Sequence, residues 1–136
     1  MSAEIYKEII LDYYRHPRNY GKLENYDISA RDTNPLCGDE VEMRIKVSDG
    51  GKIGEIKFLG RGCAISQASA SMLTEFAKEK PLEWVKGLSK EDVLKLLGNP
   101  ELGPARIKCA LLGMKVIKTG VYQYLGAKLE DLPAGE

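Results

Sequence analysis

The residue pattern predicts an α+β domain: a three-stranded antiparallel sheet with an N-terminal helix and C-terminal helices packed on one face. Three observations lead to this fold class. Apolar and polar residues alternate in the middle of the chain, apolar residues at helical spacing precede and follow that segment, and no long linker interrupts the order. We therefore expect the 136 residues to form one domain, residues 1–136.

The first half of the chain supplies one helix and the sheet. Apolar residues at steps of four predict a helix over Glu4–His16, which Pro17 ends. The clearest strand is Glu40–Ser48, in which every second residue is apolar, and Asp49-Gly50-Gly51 then supplies turn residues. The two other predicted strands are Ile28–Thr33 and Ile53–Leu59.

The second half is predicted to be helical. A helix begins at Ala64 and ends near Lys80-Pro81. Ser89 and Asp92 have the spacing of a capping box and begin the next helix, and a final helix follows Gly103-Pro104. The faces expected to be buried carry Ile65, Ala68, Met72 and Phe76 on the first of these helices, Val93, Leu96 and Leu97 on the second, and Ile107, Ala110, Leu111, Met114, Ile117 and Val121 on the third.

Composition and charge exclude several function classes. Twenty basic and twenty acidic residues give a net charge of zero, which argues against nucleic acid as the main ligand. The apolar runs are too short to span a bilayer, and the N-terminal residues lack the continuous apolar segment of a signal peptide. We expect a cytoplasmic protein that binds neither nucleic acid nor membrane.

Three cysteines are an odd number, so disulfides cannot use them all. Cys37 lies in the loop before the clearest strand, Cys63 at the junction of a strand and a helix, and Cys109 near the start of the last helix. All three are expected at element ends, and helix N-termini favour thiolate over thiol. Asp39 would point to the same side as Cys37 in an extended segment. Three thiolates and one carboxylate would suit Zn²⁺ or a [2Fe–2S] cluster.

Other interpretations of the cysteines stay open on the residues alone. Free cysteine is among the most buried residue types, so three unrelated core thiols would explain the same pattern. A cysteine hydrolase would need a base, and His16 is the only histidine, placed where it would cap a helix or lie on the surface. A purely structural zinc module is disfavoured, because a chain of this size can fold without metal.

Four stretches in order along the chain carry a family resemblance. They are Tyr13–Gly21 (YYRHPRNYG), Asn34–Asp39 (NPLCGD), Gly60–Ser71 (GRGCAISQASAS) and Ala105–Ala110 (ARIKCA). The chain resembles the iron–sulfur cluster assembly scaffold proteins of the IscU/NifU N-terminal family, with features of the SufU branch. The resemblance implies a SufE/NifU-like fold and a scaffold that is not an enzyme.

The same resemblance implies the site and the partners. Cys37, Asp39, Cys63 and Cys109 would bind the [2Fe–2S] cluster or zinc, with the cysteines as candidate persulfide acceptors. The scaffold would take sulfur from a cysteine desulfurase, assemble a transient cluster and pass it to recipient apo-proteins. The alternative is a zinc-bound sulfur carrier that accepts persulfide sulfur from the desulfurase. A homo-oligomer is compatible with either role.

The chain departs from the IscU pattern beside its last cysteine. Lys108 stands where the IscU branch has histidine, and Leu102–Arg106 (LGPAR) replaces the chaperone-recognition stretch of that branch. We expect Lys108 to be a positive neighbour of the Cys109 thiolate. Arg106, with its planar set of donors, is expected to bind a carboxylate of the desulfurase.

Overall fold

The computed structural model describes residues 3–35 and 38–130. The elements are α1 (Ala3–Arg15), β1 (Ile28–Asn34), β2 (Asp39–Ser48), β3 (Lys52–Arg61), α2 (Ala64–Ala77), α3 (Leu82–Lys86), α4 (Lys90–Leu96) and α5 (Pro104–Glu130). The three strands form one antiparallel sheet in the order β1-β2-β3. This arrangement confirms the predicted fold class. No helix in the described part of the chain is long and apolar enough to cross a membrane.

The central strand β2 has one buried and one partly exposed face. Val41, Met43 and Ile45 are almost fully buried, and the polar residues between them are partly exposed. The alternation read from the sequence therefore describes a sheet with one face against the core. Gly50 and Gly51 have φ values of 85° and 74°, which glycine adopts readily, and they form the predicted turn between β2 and β3.

Two helices, α2 and α5, cover the buried face of the sheet. The main core joins sheet residues such as Phe58 to Leu73 of α2 and Val116 of α5. The N-terminal helix packs mainly on α2, and a second core cluster fills the space between α1, α2, α4 and α5. That cluster contains Ile10, Ala68, Met72, Leu97 and Ala110.

The helical half differs from prediction in detail. Helix α2 ends at Ala77, before the expected end near Lys80, and the short helix α3 was not predicted. Phe76, expected in the core, is 50% exposed because it lies at a surface groove that it shares with Trp84 and Leu96. The predicted capping box at the start of α4 is confirmed.

The segment between α1 and β1 lies along the outer edge of the sheet. The Gly21 N–H donates to the Phe58 carbonyl at 3.0 Å, and the Phe58 N–H donates to the Asn19 carbonyl at 2.9 Å. The Tyr20 ring contacts Phe58 edge-on, with centroids 5.2 Å apart. The loop therefore partly covers the exposed edge of β3, which would otherwise present unpaired backbone groups.

Candidate metal site

Three of the predicted donor residues meet at one end of the molecule. One ligand atom each from Asp39, Cys63 and Cys109 lies within 4.8 Å of the others. Asp39 begins β2, Cys63 caps α2 and Cys109 lies on α5, so the fold unites residues that are far apart in sequence. The fourth predicted donor, Cys37, lies outside the described residues. We call Asp39, Cys63 and Cys109 the donor cluster.

The Asp39 carboxylate is fully buried. Its Oδ1 accepts the backbone N–H of Cys63 at 2.8 Å, and its Oδ2 lies 3.7 Å from Cys63 Sγ. In the part of the chain that the structure describes, no lysine, arginine or histidine forms an ion pair with Asp39. A buried carboxylate is costly without a charge partner, so this donor set fits a bound cation or iron cluster.

Gly62 allows the start of β2 to approach the start of α2. Its φ is +139°, and a Cβ atom at this position would overlap Asp39 Oδ1 and lie 2.9 Å from Asp39 Cα. The structure shows that Gly62 permits close approach of a donor residue.

Cys63 is the partly exposed member of the donor cluster. It is the N-cap of α2, with φ −71° and ψ 161°, which confirms its predicted place at a helix N-terminus. Its carbonyl accepts the Ser66 hydroxyl at 3.1 Å. The cap backbone is therefore held on one side by the Asp39 carboxylate and on the other by the first turn of the helix.

Cys109 occupies a different setting from the one predicted. It is fully buried, although it was not among the residues expected on the buried face of the last helix. The Ile107 N–H already bonds the Gly103 carbonyl at 3.0 Å, so Cys109 lies beyond the unpaired amides of the first turn. The Cys109 Sγ instead accepts a hydrogen bond from Asn34 Nδ2 at 3.6 Å. Asn34 was not among the predicted site residues, because only the fold brings β1 to α5.

Two of the grooves near the donor cluster contain the predicted supporting residues Arg106 and Lys108. Arg106 lines a cavity of about 740 Å³ that also includes Ala64 and Ile65, the residues after Cys63. Lys108 and Asn34 line a second cavity of about 540 Å³ on the other side of α5. Both predicted supporting residues are exposed and carry positive charge beside a site that would hold several anionic donors.

The hydrogen bonds that the structure records for His16 are formed with residues at the end of α1 and just after it. His16 is exposed at the end of α1, where its N–H donates to the Asp12 carbonyl at 2.8 Å. Its own carbonyl accepts the Arg18 guanidinium at 3.0 Å. This is the helix-end setting expected for it, and it gives no thiol–imidazole pair with Cys63 or Cys109.

Comparison with known proteins places the chain in a family. The model of the NifU-like N-terminal domain family matches residues 5–131. The zinc-dependent sulfurtransferase SufU of Bacillus subtilis (strain 168) is 38% identical over 134 residues, covering 86% of this chain and 89% of that protein. The iron–sulfur cluster assembly scaffold protein IscU of Escherichia coli (strain K12) is 35% identical over 122 residues, covering 88% and 93%.

Two solved structures share the fold. One, from Fervidobacterium islandicum AW-1, is described as a scaffold for iron–sulfur cluster assembly in the SUF system. It has a TM-score of 0.70 and 31% identity, covering 89% of this chain and 99% of that chain. The N-terminal part of a NifU-like protein from Brucella abortus has a TM-score of 0.73 at 19% identity, which shows the fold alone. By its sequence match and its architecture, the chain belongs to the NifU-like N-terminal domain family.

Proposed function

We propose that this chain is a scaffold on which a transient [2Fe–2S] cluster is assembled and from which it passes to recipient apo-proteins. Its ligands are Cys37, Asp39, Cys63 and Cys109. The observation that carries the proposal is the convergence of Asp39, Cys63 and Cys109, whose ligand atoms lie within 4.8 Å of one another. Cys37 lies two positions before Asp39, with only Gly38 between them, so their Cα atoms are at most about 7 Å apart and the chain keeps the fourth predicted donor close to the others.

The mixed donor set supports a transient cluster. Thiolates are the usual ligands of iron–sulfur clusters, whereas a carboxylate oxygen is a harder donor and matches iron–sulfide less well. Cys63 is partly exposed, so a recipient protein can approach the site from this side. A site with one weaker ligand and one open side suits a cargo that must leave. On this proposal the cluster is cargo, and the chain is not an enzyme.

The partners follow from the same proposal. A cysteine desulfurase supplies the sulfur, and Arg106 binds a carboxylate of that enzyme from its exposed position on the first turn of α5. Lys108 is the positive neighbour of the anionic site. A second copy of the chain is compatible with the exposed side of the donor cluster. The cytoplasm is the proposed location.

A second candidate function is a zinc-bound sulfur carrier. The observation that favours it is the 38% identity to the zinc-dependent sulfurtransferase SufU. In this role one cysteine thiolate leaves the zinc and attacks the outer sulfur of a desulfurase persulfide. The S–S bond of the donor breaks, a new S–S bond forms on the carrier, and the donor cysteine leaves as thiolate. Three thiols and one carboxylate also complete a four-ligand zinc site.

Metal and sulfide analysis of anaerobically purified protein separates the two functions. For the scaffold we expect iron and acid-labile sulfide in equal amounts after incubation with ferrous iron, cysteine and a cysteine desulfurase. Zinc without sulfide, retained through the same incubation, would favour the carrier and contradict the scaffold. The Arg106→Glu variant tests the partner contact: it should slow sulfur delivery by the desulfurase and leave the spectrum of chemically reconstituted cluster unchanged.

A further inference from the structure

Asn34 contacts both the backbone just before Asp39 and the sulfur of Cys109. It ends β1, is 7% exposed and lies opposite Asp39 in the β1–β2 register. Its carbonyl accepts the Gly38 N–H at 2.9 Å, which closes the turn leading into Asp39. Its side-chain Nδ2 donates to Cys109 Sγ at 3.6 Å. One residue therefore contacts both the backbone before Asp39 and the sulfur on α5.

We propose that Asn34 is a positioning residue of this site, whose amide N–H orients the Cys109 sulfur and withdraws electron density from it when the sulfur is bound as thiolate. The inference rests on the proposed function, because it takes Cys109 as a ligand. It goes further because it assigns a role to Asn34, which is not itself a ligand of the bound metal or cluster.

The chemistry of the contact favours a role in the loaded site. A hydrogen bond to an ionised acceptor is roughly twice as strong as one between neutral groups, so a bound thiolate gains more from the amide than a thiol does. Hydrogen bonds to ligating sulfurs tune the potential of iron–sulfur sites. Partners of this kind orient the ligands themselves, and their removal typically lowers metal affinity about 10–100-fold.

The surroundings indicate why the amide has this role. Lys108 directly precedes Cys109 but is exposed, whereas Asn34 is buried and its donor reaches the sulfur. Both residues line the cavity between the end of β1 and α5. Burial of an amide without a hydrogen-bond partner is costly, so the contact with sulfur also helps to retain Asn34 in place.

Cobalt titration of the apo-protein tests the proposal without iron, sulfide or desulfurase. Co²⁺ bound by thiolates gives an ultraviolet charge-transfer band whose energy falls when the sulfur becomes more electron-rich. We expect Asn34→Ala and Asn34→Leu to bind one Co²⁺ as the parent does, with this band at lower energy and with affinity reduced about tenfold. Asn34→Leu keeps the branched outline of the side chain, although it is larger, and removes the donor and the acceptor.

Ser66→Ala is the matched control. Ser66 is also buried at the site, but its hydroxyl donates to the Cys63 carbonyl and not to a sulfur. The control should keep the parent band energy. Circular dichroism establishes that each variant is folded, and if one of the two Asn34 variants does not fold, the other decides.

Three results would overturn the proposal. The first is an unchanged band energy in a folded Asn34 variant. The second is an equal shift in Ser66→Ala, which would indicate general loosening of the site. The third is an unchanged band intensity in Cys109→Ser, which would remove Cys109 from the ligand set. A chain that binds cobalt as expected but assembles no cluster would contradict the scaffold function and leave the role of Asn34 supported.

Discussion

At the residue scale, the Asp39 carboxylate has two separate tasks in this structure. Its Oδ1 fixes the Cys63 backbone, and its Oδ2 faces the Cys63 sulfur at 3.7 Å. The first contact positions the N-cap of α2, and the second places a hard oxygen donor among soft sulfur donors. The lifetime of a bound cluster should therefore depend on this side chain more than on any exposed acid.

Replacing Asp39 by alanine should make the cluster several-fold more persistent. The change removes the weaker ligand and the carboxylate that helps the site to dissociate. The measurement is the decay of visible absorbance after exposure of reconstituted protein to air. Asp32→Ala is the matched control, because Asp32 lies on β1 and pairs with Lys115 at 2.8 Å. Faster loss of colour in Asp39→Ala than in the parent would contradict this role.

Gly62→Ala should destabilise the apo-protein by about 1–3 kcal/mol, because a side chain is strained at a φ of +139° and its Cβ would overlap Asp39. The expected readout is a melting temperature lower by several degrees. Gly87→Ala is the control, since Gly87 has φ −88° and a Cβ there would meet only the Trp84 carbonyl at 3.8 Å.

The double variant Asp39→Ala/Gly62→Ala separates the two causes. Removal of the carboxylate relieves part of the overlap, so the combined loss should be smaller than the sum of the single losses. Additive losses would mean that backbone strain at position 62 accounts for the whole effect.

At the scale of elements, the capping box of helix α4 contains a carboxyl group, Asp92, whose pKa is shifted. The pKa of the Asp92 carboxyl lies below its ordinary value of 3.8, because the Ser89 backbone N–H donates to it and the Ser89 hydroxyl contributes further. Because folding lowers the pKa of Asp92, the ionised carboxylate stabilises the folded protein above pH 3.8. This stabilisation is lost as the pH falls through the pKa that Asp92 has in the folded protein.

Ser89→Ala should raise the pKa of Asp92 towards 3.8, although not fully, because the larger contribution of the backbone N–H remains. Loss of the cap should also lower the free energy of unfolding by about 1 kcal/mol at neutral pH. The difference in this free energy between the variant and the parent should narrow as the pH falls below 3.8. The carboxyl carbon of Asp92, followed by NMR, reports the pKa directly. Ser89→Thr keeps the hydroxyl and should titrate as the parent does.

Some features of the elements could be predicted from the sequence, and others could not. The alternation in β2 and the capping box of α4 are local signals, and both predictions are confirmed. Helix α3 spans only Leu82–Lys86, too short for a helical period to appear. The exposure of Phe76 depends on which elements pack beside it, and no local pattern contains that information.

At the scale of the whole molecule, some features of the donor cluster could be predicted from the sequence and others depend on how the elements pack. The motifs around Asp39, Cys63 and Cys109 predicted these residues as donors before any geometry was known, and the fold places them together. The burial of Cys109 and its contact with Asn34, 75 residues away, arise only when β1 and α5 pack together. Such long-range contacts have no signature in spacing, so the supporting residue was missed.

The two packed clusters of apolar side chains are formed by residues other than the donor cluster, although Cys109 is itself fully buried. The main core instead joins the buried face of the sheet to α2 and α5, with Phe58, Met43 and Leu73 among its largest side chains. Folding of a chain of this size therefore does not require the metal, and the effects of the cysteines on binding and on folding can be measured separately.

Each cysteine should be needed for firm metal binding but not for folding. Cys37→Ser, Cys63→Ser and Cys109→Ser keep the size of the side chain and replace a soft donor by a weaker, harder one. We expect each variant to lose metal to a competing chelator about ten times faster or more, an effect at least as large as that of removing a hydrogen-bond partner of a ligand. Circular dichroism of the apo-proteins should show the helicity of the parent.

Cys109→Ser is the most demanding case, because its hydroxyl would be fully buried, where the Asn34 amide can still donate to it. A variant that retains metal as firmly as the parent would show that its cysteine is a core thiol, and the site would then need a different fourth ligand.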